Sequence, residues 1–253
     1  MDASAEAARR FEASMLGAHA FDEAGFDAVR AEWLAIARLP RLDFERFGQV
    51  KREADALAKA GAWDSGPSDV LTVLGRHRDE LTHSRLLAWL LVPNHRHGLG
   101  RAVVTGLLDA IWPGEDLMSS GPVTVDLEVP GAGVDELGRL CEARADVVLR
   151  GDGLTVVIEN KLDAGEQPDQ CERLYWAFVD DAVDTRWVFL TPSGRNPGTT
   201  RSEPARTAWR AVGYRKVREV VESSLASARE STATGRLTAI QYLETLARSV
   251  ARD

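Results

Sequence analysis

The sequence contains little cysteine and no long apolar run. Only Cys141 and Cys171 are present among its 253 residues, which is too few for a disulfide framework or a cysteine-rich zinc site. No apolar stretch reaches the roughly 18 residues that a membrane-spanning helix needs. The first ten residues, MDASAEAARR, lack the basic and apolar regions of a secretory signal. We therefore expect a protein of the reducing cytoplasm without a membrane partner.

Acidic residues outnumber basic ones, 39 to 31, and the formal net charge is −8. This balance argues against a surface that is basic all over, as nucleic-acid-binding proteins often have. A local basic groove is still compatible with it, because residues 195–216 contain six basic residues and one acid. The hydrophobic content of 44% is sufficient for a core and excludes a disordered chain.

The apolar pattern predicts helices on both sides of a β-rich centre. Helical spacing of apolar residues is found at 4–38, 43–60, 78–92, 99–112, 167–180 and after residue 204. Strands are predicted at 123–129, 141–150, 154–161 and 187–191. The turn-rich segment 61–68 separates an N-terminal helical lobe, residues 1–66, from a domain over 67–253. The element order predicts an α/β fold with a sheet between helices.

Two acids and a lysine are expected to converge at the centre of this domain. Asp152-Gly153 is a signal for a two-residue type I′ hairpin, and this turn places Asp146 opposite Glu159. Side-chain alternation then puts Lys161 on the same face. Carboxylates paired in this way repel each other, so in dry surroundings they bind a proton or a cation. Oxygen ligands of this kind suit Mg²⁺ or Mn²⁺.

A simpler interpretation of the same residues stays open. A carboxylate on a strand is often a solvated edge residue, and Glu159 with Lys161 could form a surface ion pair worth about 0–1 kcal/mol.

The order of these residues resembles a known nuclease pattern. Asp146 followed by Glu159-Asn160-Lys161 resembles the D…(D/E)-x-K core of the PD-(D/E)XK, restriction-endonuclease-like superfamily. The segment 68–100 resembles one bacterial branch, with its Glu-x-x-His-Ser-x-x-Leu-Ala-Trp-Leu-Leu pattern, and VIENKLDAGEQPDQCERLY resembles the same branch. The resemblance covers roughly 68–190. It implies a restriction-endonuclease-like core of order αβββαβ, in which helices flank a mixed central sheet.

The resemblance also implies roles for individual residues in metal-dependent phosphodiester hydrolysis. Asp146 and Glu159 would hold Mg²⁺ or Mn²⁺, and Glu80 would complete the metal site. Lys161 would orient the attacking water or stabilise the developing negative charge. Gln170 would contact the substrate or orient the lysine.

The sequence departs from the family pattern at two places. Ala145 precedes Asp146 where the family name has proline. The tyrosine often found four residues after the glutamine is Leu174 here, with Tyr175 one step later.

DNA is the expected substrate and partner, with contacts at Arg195, Arg201, Arg206 and His97. A merely solvated basic surface, and a structural hydrogen bond for His97, are the alternatives. His83 is expected to hydrogen-bond within the core or to take part in catalysis. An inactive module that binds nucleic acid or a partner protein, and an RNA-cleaving nuclease, stay open, as does assembly into a homo-oligomer.

Overall fold

The computed structural model describes residues 27–31, 34, 44–61, 67–118, 120–180, 182–228 and 233–250. The chain divides into two compact units, Met1–Ser65 and Gly66–Asp253, and each is described by itself. In the first unit, helix α1 covers Phe44–Lys59, which confirms the helix predicted at 43–60. The helix predicted at 4–38 falls mostly outside the described residues. A helical lobe over 1–66 therefore stays a prediction.

In the described residues of the second unit, helices alternate along the chain with the strands of one sheet. Its helices are α2 (Val70–Val73), α3 (Glu80–Leu91), α4 (Ala102–Ile111), α5 (Gln170–Phe178), α6 (Glu203–Ala208), α7 (Tyr214–Ser227) and α8 (Ala233–Thr245), with a π-helical turn at Leu246–Val250. Its strands are β1 (Thr124–Val134), β2 (Leu140–Gly151), β3 (Leu154–Asn160), β4 (Asp184–Thr191) and β5 (Trp209–Gly213). In the described part of the chain, no helix is long and apolar enough to cross a membrane.

The sheet is mixed, with strand order β1-β2-β3-β4-β5. Strands β1, β2 and β3 are antiparallel neighbours, whereas β3, β4 and β5 run parallel. The predicted α/β fold with helices around a mixed sheet is confirmed. Strand β5 was not predicted, because its five residues lie in an arginine-containing segment and two of them, Trp209 and Val212, are buried only by tertiary packing.

The hairpin between β2 and β3 has the predicted turn and pairing. Asp152 and Gly153 have φ angles of 50° and 76°, as a type I′ turn requires at both central positions. Pairing runs from Gly151 with Leu154 to Val147 with Ile158, so the predicted register is confirmed. Beyond this last pair the ladder ends, and the next residues of the two strands carry the acids.

Strand β1 extends five residues beyond its predicted end, and glycine explains why the pattern missed this part. Pro130, Gly131 and Gly133 weaken the strand signal, yet they pair with β2. A Cβ atom at Gly133 would lie 2.0 Å from the carbonyl oxygen of Trp176. Glycine is therefore required here because α5 packs directly on the backbone of β1.

The sheet is covered on both faces. Val156 and Ile158 of β3 belong to the larger core cluster, which includes α3, α4 and α7, whereas Val157 belongs to a cluster with α5. Continuing this alternation, Glu159 points towards α5 and Asn160 towards α3. The side chains of these two polar residues at the end of β3 therefore lie on opposite faces of the sheet.

Candidate active site

Glu159 is the most deeply buried acid of the candidate site. Its side chain is 1% exposed, and its Oε1 atom accepts hydrogen bonds from Lys161 Nζ at 2.9 Å and Gln170 Nε2 at 2.5 Å. Its Oε2 atom is buried and has no hydrogen-bond partner among the described residues. Burial, and then repulsion from Asp146, raise the pKa of Glu159 to about 8. Oε1 thus accepts from two donors, whereas Oε2 accepts from none.

Asp146 lies beside Glu159, where β2 and β3 separate. Its Oδ2 atom accepts a hydrogen bond of 2.8 Å from the backbone N–H of Asn160. Burial raises the pKa of Asp146 above its ordinary value, although this hydrogen bond and the charge of Lys161 oppose the shift. The two carboxylates repel each other electrostatically, as expected for acids at opposed positions of a hairpin.

Lys161 follows the last residue of β3, and its position is fixed at both ends. Its backbone N–H donates to the carbonyl of Leu190 on β4 at 2.9 Å. Its ammonium group lies 2.9 Å from Glu159 Oε1 and 3.6 Å from Glu80 Oε2. Burial alone would lower the pKa of Lys161, but attraction to these carboxylates outweighs it and raises the pKa. The lysine therefore stays charged.

Asn160 joins the end of β3 to the opposite layer of helices. Its Nδ2 group donates to the carbonyl of Glu80 at 3.0 Å and to Ser84 Oγ at 3.1 Å, and its Oδ1 accepts from Tyr214 Oη at 2.8 Å. Asn160 and Tyr214 are fully buried, so these bonds are needed to offset the cost of desolvation. Tyr214 was missed, since a single tyrosine within a basic run carries no sequence signal.

Glu80 lies on the predicted helix and is the first residue of α3, but its carboxylate makes contacts other than the predicted metal-binding ones. Oε1 accepts hydrogen bonds from the backbone N–H groups of Leu162 at 2.8 Å and Ala164 at 3.3 Å. Within the described ranges, no three histidine, cysteine or acidic side chains are close enough together to hold a metal ion. The predicted three-acid set of Asp146, Glu159 and Glu80 is therefore not assembled here.

Gln170 reaches Glu159 rather than the lysine. It is the first residue of α5, and its Oε1 atom accepts a hydrogen bond of 3.0 Å from the backbone N–H of Gln167. This bond sets the amide orientation so that Nε2 faces Glu159. The neighbouring Tyr175 points elsewhere, with its ring centroid 4.8 Å from that of Trp187.

Glu128 is a further acid near Asp146 that the sequence did not reveal. It has a φ of 53°, which is unusual for a residue with a side chain, and it interrupts the pairing of β1 with β2 opposite Asp146. Its carboxylate lies 3.0 Å from Arg144, and its charge adds to the raised pKa of Asp146. Glu128 belongs to an ordinary alternating strand pattern, so the sequence gave no signal that it lies near Asp146.

The predicted arginine contacts are all paired with acids. Arg195 Nη1 lies 2.5 Å from Glu166, Arg201 Nε lies 2.5 Å from Asp169, and Arg206 Nη2 lies 3.0 Å from Glu203. Each arginine remains partly exposed, at 46%, 74% and 53% of its side chain. At these three positions the basic run is thus not a free positive surface, because each arginine has an acidic partner.

The two histidines considered at the sequence level have structural hydrogen bonds. His97 is fully buried, its Nε2 bonds to the carbonyl of Val92 at 2.9 Å, and its Nδ1 accepts from the N–H of Leu99 at 2.9 Å. Both ring nitrogens are therefore used, which leaves none for the predicted phosphate contact. His83 is likewise buried, and bonds to Tyr242 and to the carbonyl of His77.

A family model of the PD-(D/E)XK nuclease superfamily matches residues 68–244, more than two thirds of the chain. The chain belongs to this superfamily. The match covers all five strands and both layers of helices that build the PD-(D/E)XK core. Ala145, which replaces the proline of the family name, is fully buried against the α5 cluster. No curated protein and no solved structure gave a match.

Proposed function

We propose that the protein is a metal-dependent nuclease that hydrolyses phosphodiester bonds in DNA at Asp146, Glu159 and Lys161. The observation that carries this proposal is that the two oxygens of the Glu159 carboxylate differ in their hydrogen bonds. Its Oε2 atom is buried without a hydrogen-bond donor, beside a second carboxylate. Burial without a partner disfavours the charged form of this carboxyl group and raises its pKa, and a divalent cation would stabilise that charged form.

The acids fit Mg²⁺ or Mn²⁺ as the bound ion. Asp146 and Glu159 supply hard carboxylate oxygens, the ligands that these ions prefer, and Oε2 of Glu159 is available for a ligand bond. When bound, the ion lowers the pKa of a water and neutralises charge on the phosphate. We propose these two residues as the protein ligands.

The chain's own residues supply the remaining parts of the site. Gln170 and Lys161 hold Oε1 of Glu159 from two directions, so its other oxygen is directed away from them. The Lys161 side chain is 11% exposed, and its ammonium group would stabilise negative charge that develops on the phosphate. Because both its main chain and its ammonium group are bonded, this charge is positioned before substrate arrives.

Arg195 and Arg201 are the proposed contacts to the DNA backbone. They lie in a loop that is bonded to Glu166, just before α5, and to Glu172 in its first turn, and Gln170 of the site also belongs to that helix. Each arginine would exchange its acidic partner for a phosphate. Arg206, which pairs with Glu203 three residues earlier in α6, is the weaker candidate, and we leave His97 out of this set.

The cytoplasm remains the proposed location. Both cysteines, Cys141 and Cys171, are free and buried, as expected for a protein of a reducing compartment.

A cleavage panel tests the function directly. The purified protein is incubated with duplex, single-stranded and branched DNA and with RNA, in the presence of Mg²⁺ or Mn²⁺, and EDTA is added to a parallel set. We expect DNA cleavage that stops with EDTA and that is absent in Asp146→Asn. Binding without cleavage of any substrate would favour the inactive module instead. Cleavage confined to RNA would favour the RNA-cleaving alternative.

A further inference from the structure

Glu80 is bonded to one short segment of the chain through its side chain and its main chain. Its Oε1 atom accepts from the N–H groups of Leu162 and Ala164, and its Oε2 atom faces Lys161. Its backbone carbonyl accepts from Asn160. Every one of these contacts lies in the five residues 160–164, which begin with the last residue of β3.

The position of Lys161 explains why Glu80 is separated from the other acids. The ammonium group contacts the Glu159 carboxylate and the Glu80 carboxylate, so the side of Glu80 that faces the site already has a cation. The other oxygen is occupied by the two backbone N–H groups. In contrast to Glu159, Glu80 has no oxygen without a donor or a cation nearby.

We infer that Glu80 is a positioning residue that holds the turn at 161–164 and the ammonium group of Lys161, and that it is not a metal ligand. The inference rests on the proposed function for its effect on catalysis. It changes the role of this acid from the one that the family resemblance implies. Two hydrogen bonds to the Glu80 carboxylate fix the turn, while the charge of Glu80 orients Lys161.

Two substitutions separate these contributions. Glu80→Gln keeps an oxygen that can accept from the N–H groups of Leu162 and Ala164, but it removes the charge next to Lys161. Glu80→Ala removes both. The matched control is Glu203→Gln, because Glu203 is also the first residue of a helix and lies outside the site.

Amide hydrogen exchange tests the turn without any measurement of activity. We expect the amides of Leu162 and Ala164 to exchange about tenfold faster in Glu80→Ala than in the wild type, and at nearly wild-type rates in Glu80→Gln and Glu203→Gln. Unchanged protection in Glu80→Ala would overturn the inference. If Glu80→Ala does not fold, faster exchange at these two amides in Glu80→Gln would overturn it instead.

A metal titration tests whether Glu80 is a ligand. Mn²⁺ binding is measured by calorimetry for wild type, Glu80→Gln and Asp146→Asn. We expect the dissociation constant of Glu80→Gln to stay close to that of the wild type, while Asp146→Asn weakens binding about tenfold or more. Equal weakening in both variants would make Glu80 a ligand and contradict the inference.

Cleavage kinetics complete the test and separate the two proposals. We expect kcat to fall about tenfold in Glu80→Gln, with KM for DNA unchanged, because only the orientation of the lysine is disturbed. A wild-type protein that neither binds Mn²⁺ nor cleaves would remove the proposed function. The exchange measurement would then still decide whether Glu80 holds the turn.

Discussion

Glu159 and Glu166 are two buried acids separated by only seven residues, and their surroundings are opposite. Their side chains are 1% and 7% exposed. Glu166 accepts hydrogen bonds on both oxygens, from Arg195, Gly198 and Thr199, at distances from 2.5 to 3.1 Å. Glu159 accepts on one oxygen alone. Both acids are buried, but only Glu166 has hydrogen-bond donors for both of its oxygens.

The pKa values of the two acids differ in direction for this reason. Burial raises the pKa of Glu159 to about 8, with a further contribution from Asp146. Burial also acts on Glu166, but the hydrogen bonds from Arg195, Gly198 and Thr199 outweigh it and lower the pKa. A buried acid with every oxygen satisfied is a structural link between loops. A buried acid with one oxygen unsatisfied is a candidate for function.

The largest expected effect is on catalysis, in Glu159→Gln. We expect cleavage to fall about a hundredfold or more, since the amide cannot bind a divalent ion as the carboxylate does. In EDTA at pH 8, the free energy of unfolding should rise by about 1 kcal/mol, because the repulsion between two buried carboxylates is removed. Cleavage assays and urea denaturation measure the two effects. Marked destabilisation would show that Glu159 has a structural role instead.

The second effect is on stability, in Glu166→Gln. We expect the free energy of unfolding at pH 7 to fall by about 2 kcal/mol, because the amide presents a donor to backbone N–H groups that need an acceptor. Since the pKa of Glu166 is lowered on folding, its stabilisation is present above the unfolded value of about 4.5 and is lost as the pH falls.

Urea denaturation of Glu166→Gln and wild type at pH 7 and pH 4 measures this dependence. The difference between the two proteins should shrink at the lower pH. Glu203→Gln, which changes an acid that is 74% exposed, is the control and should differ from the wild type by less than about 1 kcal/mol. A difference that grew towards low pH would contradict the assignment of Glu166.

The smallest effect is expected for the exposed arginines. Arg201→Ala should change the free energy of unfolding by less than about 1 kcal/mol, because its pair with Asp169 is solvent-exposed. It should weaken DNA binding modestly and reduce the salt dependence of the binding constant by about one charge. Arg206→Ala is the comparison, and binding isotherms at several salt concentrations measure both. An equal salt effect in Arg206→Ala would extend the DNA contact to α6.

The hairpin was predictable because its information is local. Asp152 and Gly153 form the turn expected of this dipeptide, and the turn fixes the pairing of Gly151 with Leu154 and of the residues that follow. The convergence of Asp146 and Glu159 is a consequence of that register. Strand β5 was missed, since the burial of Trp209 depends on α5, which lies far away in the sequence. The second half of β1 was missed because proline and glycines weaken its strand pattern.

The sequence by itself determined the turn, the register and the family motif, because each rests on residues adjacent in the chain or on spacing within two strands. The tertiary structure decided which polar groups are satisfied. Glu80, Arg195 and Arg201 matched a functional pattern in sequence, yet their partners come from distant segments. Hydrogen-bond partners depend on the folded surroundings. Only the tertiary structure shows that Glu159 has a buried oxygen without a donor among the described residues.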